Sequence, residues 1–405
     1  MRKTWPFFVL ALSLCAATKS PQQLFDEARA AYGRKDFVAY ASVMKELHEL
    51  RPSHPTVTFN YAGSLALTGR GDEAIAELHK LASMQLALDL SDTDLDSIRN
   101  RDDFRDIEKT MQATRTRKIS NSAVAFRIPE KGLATEAITY DPKSRSFFVS
   151  AARKRKILRI DANGTIRDFI TKNLWGVNGL GVDAKRRLLW ASSMPYDRVE
   201  GFDKDHPGNG AVVAFDIDSG NEVARYDAPA DLALDDLTVA PDGTVYVSNA
   251  KGSVLRVKDD ALASFASGMR SAQGSAFGNG KLYVADYGGA IWAVDPRTGD
   301  AARLQLPDDF APTGIDGLEI AGNTLFAIQN GVNPNRVVRL ELDGMKVKSW
   351  KIVEMNNPLM DEPTIGVIAK GSLYWIANSQ GGTIAEGKKA PEEHLILKMV
   401  LRPES

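Results

Sequence analysis

Six short phrases in the last two-thirds of the chain each open on an oxygen-bearing side chain. They are Glu136-Ala-Ile-Thr-Tyr-Asp, Asn178-Gly-Leu-Gly-Val-Asp, Asp235-Asp-Leu-Thr-Val-Ala, Gln273-Gly-Ser-Ala-Phe, Asp316-Gly-Leu-Glu-Ile-Ala and Thr364-Ile-Gly-Val-Ile. Asp236 and Glu362 stand beside two of these positions. Hydrophobic patterning alone would accept Ser or Gly at all of them. Oxygen donors brought to one axis, carboxylates among them, suit a hard divalent cation such as Ca²⁺. Carboxylates crowded together without such an ion repel each other and hold their protons more tightly. The alternative is a hydrated channel in which these groups meet only water.

The elements that must carry these residues repeat with them. Each phrase is an apolar strand followed by a tight turn and a second strand: Phe147-Phe148-Val149, Leu188-Leu189-Trp190, Val245-Tyr246-Val247, Leu282-Tyr283-Val284, Leu325-Phe326-Ala327 and Leu373-Tyr374-Trp375. The phrases start 38 to 57 residues apart, and a polar insertion at 196–210 accounts for the longest interval. A period near 40–45 residues with four strands per unit is that of a β-propeller. The pattern predicts a mainly β chain whose residues 120–403 form a six-bladed propeller. The innermost strands would then bring Glu136, Asn178, Asp235, Gln273, Asp316 and Thr364 around one mouth of the central channel. Ala123-Val-Ala-Phe-Arg-Ile-Pro, with no blade of its own, is expected to pair with His394-Leu-Ile-Leu-Lys-Met-Val-Leu and close the ring, removing two exposed edges.

Residues 21–115 have helical periodicity instead. Pro21 sits where a helix starts, with Leu24, Phe25, Ala28 and Ala31 on one face, and Gly33 ends it. Phe37 to Leu50 gives a second helix before Pro52. Tyr61-Ala62, Leu65, Gly69, Ala74, Leu78 and Leu81 have the spacing of the tetratricopeptide consensus, so this part resembles that repeat. Asp102, Asp103 and Phe104 read as a polar stretch closing the module, and Thr116 to Ser122 as a linker. Such a module serves either as a protein-interaction groove or as a helical cap. Ahead of it, Arg2 and Lys3, an apolar run from Trp5 to Leu14 and Cys15-Ala16-Ala17 describe a secretory signal over residues 1–17. The chain is therefore expected in the periplasm or secreted, with no transmembrane span. Lipidation at Cys15 and a buried N-terminal helix are the alternatives.

The whole chain has 405 residues with 51 Lys and Arg against 52 Asp and Glu. That balance provides no basic field for nucleic acid. Its single cysteine, Cys15, excludes a disulfide framework, an iron–sulfur cluster and a structural Cys–zinc site. No Gly-x-Ser-x-Gly phrase occurs, and none of the five histidines falls in the six phrases, so a Ser–His triad is not expected.

Glu136, Asp235-Asp236-Leu followed by Pro241-Asp-Gly, and Asp316-Gly-Leu resemble the senescence-marker-protein/gluconolactonase (regucalcin) family of six-bladed propellers across residues 120–403. The resemblance implies a metal-dependent hydrolase of sugar lactones or related esters. It implies a divalent metal, often calcium, on Glu136, Gln273 and Asp316, with Gln273 standing where the family has Asn. Asp235 matches a substrate-contacting Asn. Asn178 and Asp236 are further expected substrate contacts. In such a hydrolase a metal polarises the lactone carbonyl and acidifies a bound water. Asp316 is the first candidate base and Asp235 the second. Long loops at 196–210, Gln329–Asn335 and Ser379–Glu393 are expected as walls of the mouth. Arg153, in the run Arg153-Lys-Arg-Lys156, is a candidate for capturing an anionic substrate, a solvated loop being the other reading. Asp203-Lys-Asp205 reads as turn chemistry. The competing functional reading is a non-catalytic propeller that binds a protein or carbohydrate through its mouth or its helices.

Overall fold

The computed structural model describes residues 19–382, 387 and 390–401. The expected signal segment lies outside the described residues. The chain folds as a six-bladed β-propeller preceded by helices. Each of the six sheets has four strands, with their order following the chain from axis to rim in five blades. In the sixth blade, Ala123–Ile128 pairs antiparallel with His394–Val400, Ile128 opposite His394. Strands from the two ends of the described ring therefore share one sheet, as the unpaired apolar segment predicted.

The second strand of each blade builds the core. Ser146–Ala151 and Ser372–Ile376 are buried at every position because blades pack on both of their faces. The inner strands are Ile138–Asp141, Gly176–Asp183, Leu234–Val239, Ala272–Gly278, Ile315–Ala321 and Gly366–Ala369. At their N-terminal ends, four of them slip register against the second strand. The slips fall between Val177 and Gly179, Leu234 and Leu237, Ala272 and Ser275, and Ile315 and Gly317. A bulge leaves its extra residue outside the ladder. The extra residues here are Asn178, Asp235-Asp236, Gln273-Gly274 and Asp316. Glycine beside these residues lets neighbouring blades close on the axis. A Cβ on Gly274 would lie 2.7 Å from Leu318 N, and one on Gly317 would lie 2.7 Å from the Thr364 carbonyl.

The helices are Pro21–Gly33, Phe37–Leu50, Pro55–Leu67, Gly71–Ser83 and Asp102–Thr116. The first begins with a capping box in which Ser20 and Gln23 satisfy each other's backbone N–H groups. The stretch from Asp102, read from sequence as a polar close, is instead the 15-residue helix Asp102–Thr116, with Phe104, Ile107 and Met111 buried at i, i+3 and i+7. Acidic Asp102 and Asp103 suit its first turn. Consecutive helices pack on one another around Leu65, Leu78, Leu81, Leu95 and Phe104.

This helical layer is docked on the propeller. Ala311, from the approach to the fifth blade, belongs to the helical core, and Val332 packs against it. Ala87 N donates to the Asn333 carbonyl at 2.8 Å, and Asn333 Nδ2 donates back to the Ala87 carbonyl at 3.3 Å. Arg336 Nη1 donates to the carbonyls of Met84 (2.9 Å) and Gln85 (3.2 Å). The segment read as a linker is also fastened: Ile119 bridges Met355, and Asn121 N donates to Glu354. No helix among the described residues is long and apolar enough to cross a membrane.

Candidate functional site

The ring residues meet in one cavity of about 860 Å³ at the mouth of the propeller. Glu136, Asn178, Asp235, Gln273, Asp316, Thr364 and Glu362 all line it. In four blades a bulge explains the convergence by ejecting a polar residue from the ladder, while Glu136 and Thr364 lie just ahead of the regular inner strands Ile138–Asp141 and Gly366–Ala369. Polar neighbours then fix the floor. Ser379 Oγ donates to Glu136 Oε1 at 3.1 Å, and Thr364 Oγ1 donates to the Glu136 carbonyl at 2.8 Å. Asn178 Nδ2 donates to the Leu234 carbonyl at 3.1 Å, while Tyr196 Oη donates to Asn178 Oδ1 at 3.0 Å. Asn330 Nδ2 donates to Asp316 Oδ2, and Tyr287 Oη donates to Asn330 Oδ1 at 3.0 Å. Gln273 Nε2 reaches Ser271 Oγ at 3.3 Å and its side chain also bonds to Asp235.

The electrostatics follow from enclosure. Burial, with Asp316 nearby, pushes the Glu136 carboxyl up to about 8, although Arg198 pulls it back. Burial pushes Asp316 up to about 6 against the donation from Asn330. Asp235 rises well above the ordinary carboxylate range through burial and the proximity of Asp316 and Asp236. Burial is the first cause of all three shifts, and repulsion between the carboxylates adds to it at Glu136 and Asp235.

The oxygen chemistry of the floor fits a hard cation. One oxygen of Glu136 and one of Asp316 accept protein hydrogen bonds, and Oε2 of Glu136 and Oδ1 of Asp316 have no partner among the described residues. Gln273 donates through its amide nitrogen, leaving its carbonyl oxygen as a donor to metal. Among the described residues no three His, Cys, Asp or Glu side chains are grouped as around a metal ion. The set that the sequence resemblance implied needs only two carboxylates and an amide oxygen, and Glu136, Gln273 and Asp316 all line the cavity.

Two expected contacts lie elsewhere. Asp236 does not line the cavity: its Oδ2 accepts from Ser275 N at 2.8 Å, stapling the third blade to the fourth. Arg153 is also outside, held by Glu200 at 3.0 Å and by the Gly132 carbonyl. The basic run is spent on local partners, because Lys154 also binds Glu200 and Lys156 binds Glu130 and Asp168. Asp203 forms the expected turn, accepting from Asp205 N at 2.9 Å. Residues that sequence reasoning did not single out complete the walls: Tyr196, Arg198, Lys251, Tyr287, Asn330 and Ser379. For Tyr196, Arg198, Asn330 and Ser379 the only signal was loop length, since 196–210, 329–335 and 379–393 were read as walls without choosing residues within them; Lys251 and Tyr287 lie in short turns that carried no signal. Part of the last loop, 383–386 and 388–389, lies outside the described residues.

No protein-family model and no curated protein matches the chain. Solved structures do. A glucose dehydrogenase aligns with a TM-score of 0.52 at 13% identity, over 70% of this chain and 100% of its own. A second glucose dehydrogenase gives 0.50 at 13% identity, over 68% and 99%. A gluconolactonase from Xanthomonas campestris gives 0.48 at 16% identity, over 71% and 99%. What these likenesses share with this chain is the propeller. Fold alone does not assign a reaction.

Proposed function

We propose that the propeller mouth is the active site of a metal-dependent hydrolase of sugar lactones or related esters. The observation that carries this reading is the convergence of Glu136, Asp235 and Asp316 with the amides Asn178 and Gln273 on one cavity. Glu136, Gln273 and Asp316 would hold a divalent cation, Ca²⁺ by its preference for oxygen donors. Bound there, it would supply Lewis-acid polarisation of the ester carbonyl and a more acidic water. The chain's own residues do the rest. Asn178, fixed by Tyr196 and the Leu234 carbonyl, orients substrate hydroxyls through its amide. Asp316 or Asp235 accepts the proton of the attacking water. Tyr196, Met194, Pro207 and Leu232 wall the cavity and limit the water that reaches the ester.

Metal analysis of the purified protein together with a lactone panel tests this. Glu136→Gln should remove both bound metal and lactone hydrolysis. Full hydrolysis in excess chelator would sink the reading.

A second reading is a binding scaffold. It is favoured by the exposed side chains of Tyr32, Val38 and Leu50 on the first two helices. In that case tetratricopeptide-like helices take a protein partner, and a captured partner would survive ring substitutions. We further propose export, on the strength of the sequence of residues 1–17; the size of the mature chain by intact mass tests it.

A further inference from the structure

We propose that the substrate carries an anionic group, a carboxylate or phosphate, which Arg198 receives at the cavity wall while the uncharged part of the molecule meets the floor. The proposal rests on the mouth being the substrate site. It names a feature that a lactone reading alone leaves open.

The cations around the mouth differ in how far their hydrogen-bonding capacity is used. Arg153 and Lys154 share Glu200, and Lys156 is held between Glu130 and Asp168. Arg155 donates to the Leu174 carbonyl and lies over the Trp175 ring at 4.3 Å. Lys251 lines the cavity but donates to the Asp231 carbonyl at 2.6 Å. Arg198 also lines the cavity and forms no ion pair with any described residue. Its guanidinium lies 5.6 Å over the Tyr196 ring and within electrostatic reach of Glu136, with no hydrogen bond to any described residue. Stacking on an aromatic face leaves the N–H edge of the fork available, the geometry that meets carboxylate or phosphate with paired hydrogen bonds.

The position is set by the floor as well as by the loop. Tyr196 ties the start of the 196–210 insertion to ring residue Asn178. A Cβ on Gly381 would come 2.9 Å from Glu136 Oε1 and 3.5 Å from Arg198 Nη1, so the carboxylate and the guanidinium flank the same point of the wall. An anion approaching the acidic floor directly would be repelled; at this side of the cavity a cation offsets that repulsion. The insertion is what lengthens the second blade, and it delivers both the stacking ring and the charge. A substrate with its anion on Arg198 lays its neutral end across the floor toward Asn178.

Four probes test this on the full-length protein: inorganic phosphate followed by ³¹P NMR titration, and 6-phosphogluconate, gluconate and glucitol by calorimetry. Affinity should fall in the order 6-phosphogluconate, gluconate, glucitol. Arg198→Met should weaken 6-phosphogluconate about tenfold or more, about 1.4 kcal/mol, and abolish the phosphate response. Arg198→Lys should retain part of both, and glucitol binding should not change. Because Arg198 is exposed on a loop, these variants should fold as the parent does. Unaltered phosphate and 6-phosphogluconate binding in Arg198→Met overturns the proposal while leaving the lactone reading intact. Phosphate binding lost in Arg198→Met, with none of the sugar probes bound, supports the anion subsite and refutes the sugar-lactone reading. A wild-type protein that binds none of the four refutes both.

Discussion

Removing the Arg336 side chain should separate the helical layer from the propeller. This guanidinium is fully buried, yet no carboxylate pairs with it among the described residues. Its Nε donates to Gln329 Oε1 at 2.7 Å, its Nη1 donates to the carbonyls of Met84 and Gln85, and its face lies 5.5 Å from the Trp350 ring. Nη2 has no partner. Burial alone drags its pKa down to about 9, so it still carries its proton at neutral pH. Arg336→Ala strands two carbonyls and an amide oxygen, at about 1–3 kcal/mol each when left unpaired in the interior. Water entering the gap satisfies some of them, so the expected loss is about 3–5 kcal/mol, the range for breaking a buried charged network. Arg336→Met fills the stem and removes the cost of burying charge, so about 1–3 kcal/mol should go. The assay is denaturant unfolding followed by tryptophan fluorescence, to which Trp350 contributes, with limited proteolysis across residues 117–122. The Ala variant should lose its single transition and release the helices first, because the lost bonds join the two layers rather than either core. A change below 1 kcal/mol with one unaltered transition would refute the claim that this buried cation holds them together.

Other outcomes follow from the same geometry. His54, packed against Gly289 of the fourth blade, has its pKa lowered to about 4 by burial and by Arg51 and Arg270. The unfolded chain therefore binds this proton first, so stability present above pH 6.5 is lost as pH falls toward 4. The loss should reach about 2–3 kcal/mol, and a melting series against His54→Gln should show the acid slope flattened in the variant. Gly274→Ala forces a methyl against the backbone of Leu318 and should cost at least 1–3 kcal/mol, read as a lower Tm. Asn330→Ala removes the hydrogen bond to Asp316 and should weaken Ca²⁺ binding about tenfold, about 1.4 kcal/mol, in calorimetry without lowering Tm by more than a few degrees.

The repeat made the propeller legible because every blade must bury the same faces, and burial is written in residue type. The ring was legible for a related reason. A polar residue at the start of an apolar strand has no packing explanation, and in three blades the bulge that accommodates it is anticipated by a following glycine, as in Asn178-Gly179, Gln273-Gly274 and Asp316-Gly317. Asp236 shows where that reasoning stops. The slip in its blade spans two residues, and residue type could not tell that Asp235 would face the cavity while Asp236 turned to Ser275. Arg153 fails for a different reason: charge is visible in sequence, but its neutralisation by Glu200, in another blade's insertion, is not. Loop 330–336 combines both difficulties. Its Asn330 supports Asp316 in the mouth, while its Asn333 and Arg336 bind the helical layer. Those partners lie about 250 residues earlier in the chain, at Met84 to Ala87. No local pattern encodes such a contact, because each partner carbonyl belongs to the backbone and is the same for every residue type. From sequence the helices read as a groove or a cap with no docking site assigned; in three dimensions they are fastened to the segment that supports one of the ring carboxylates.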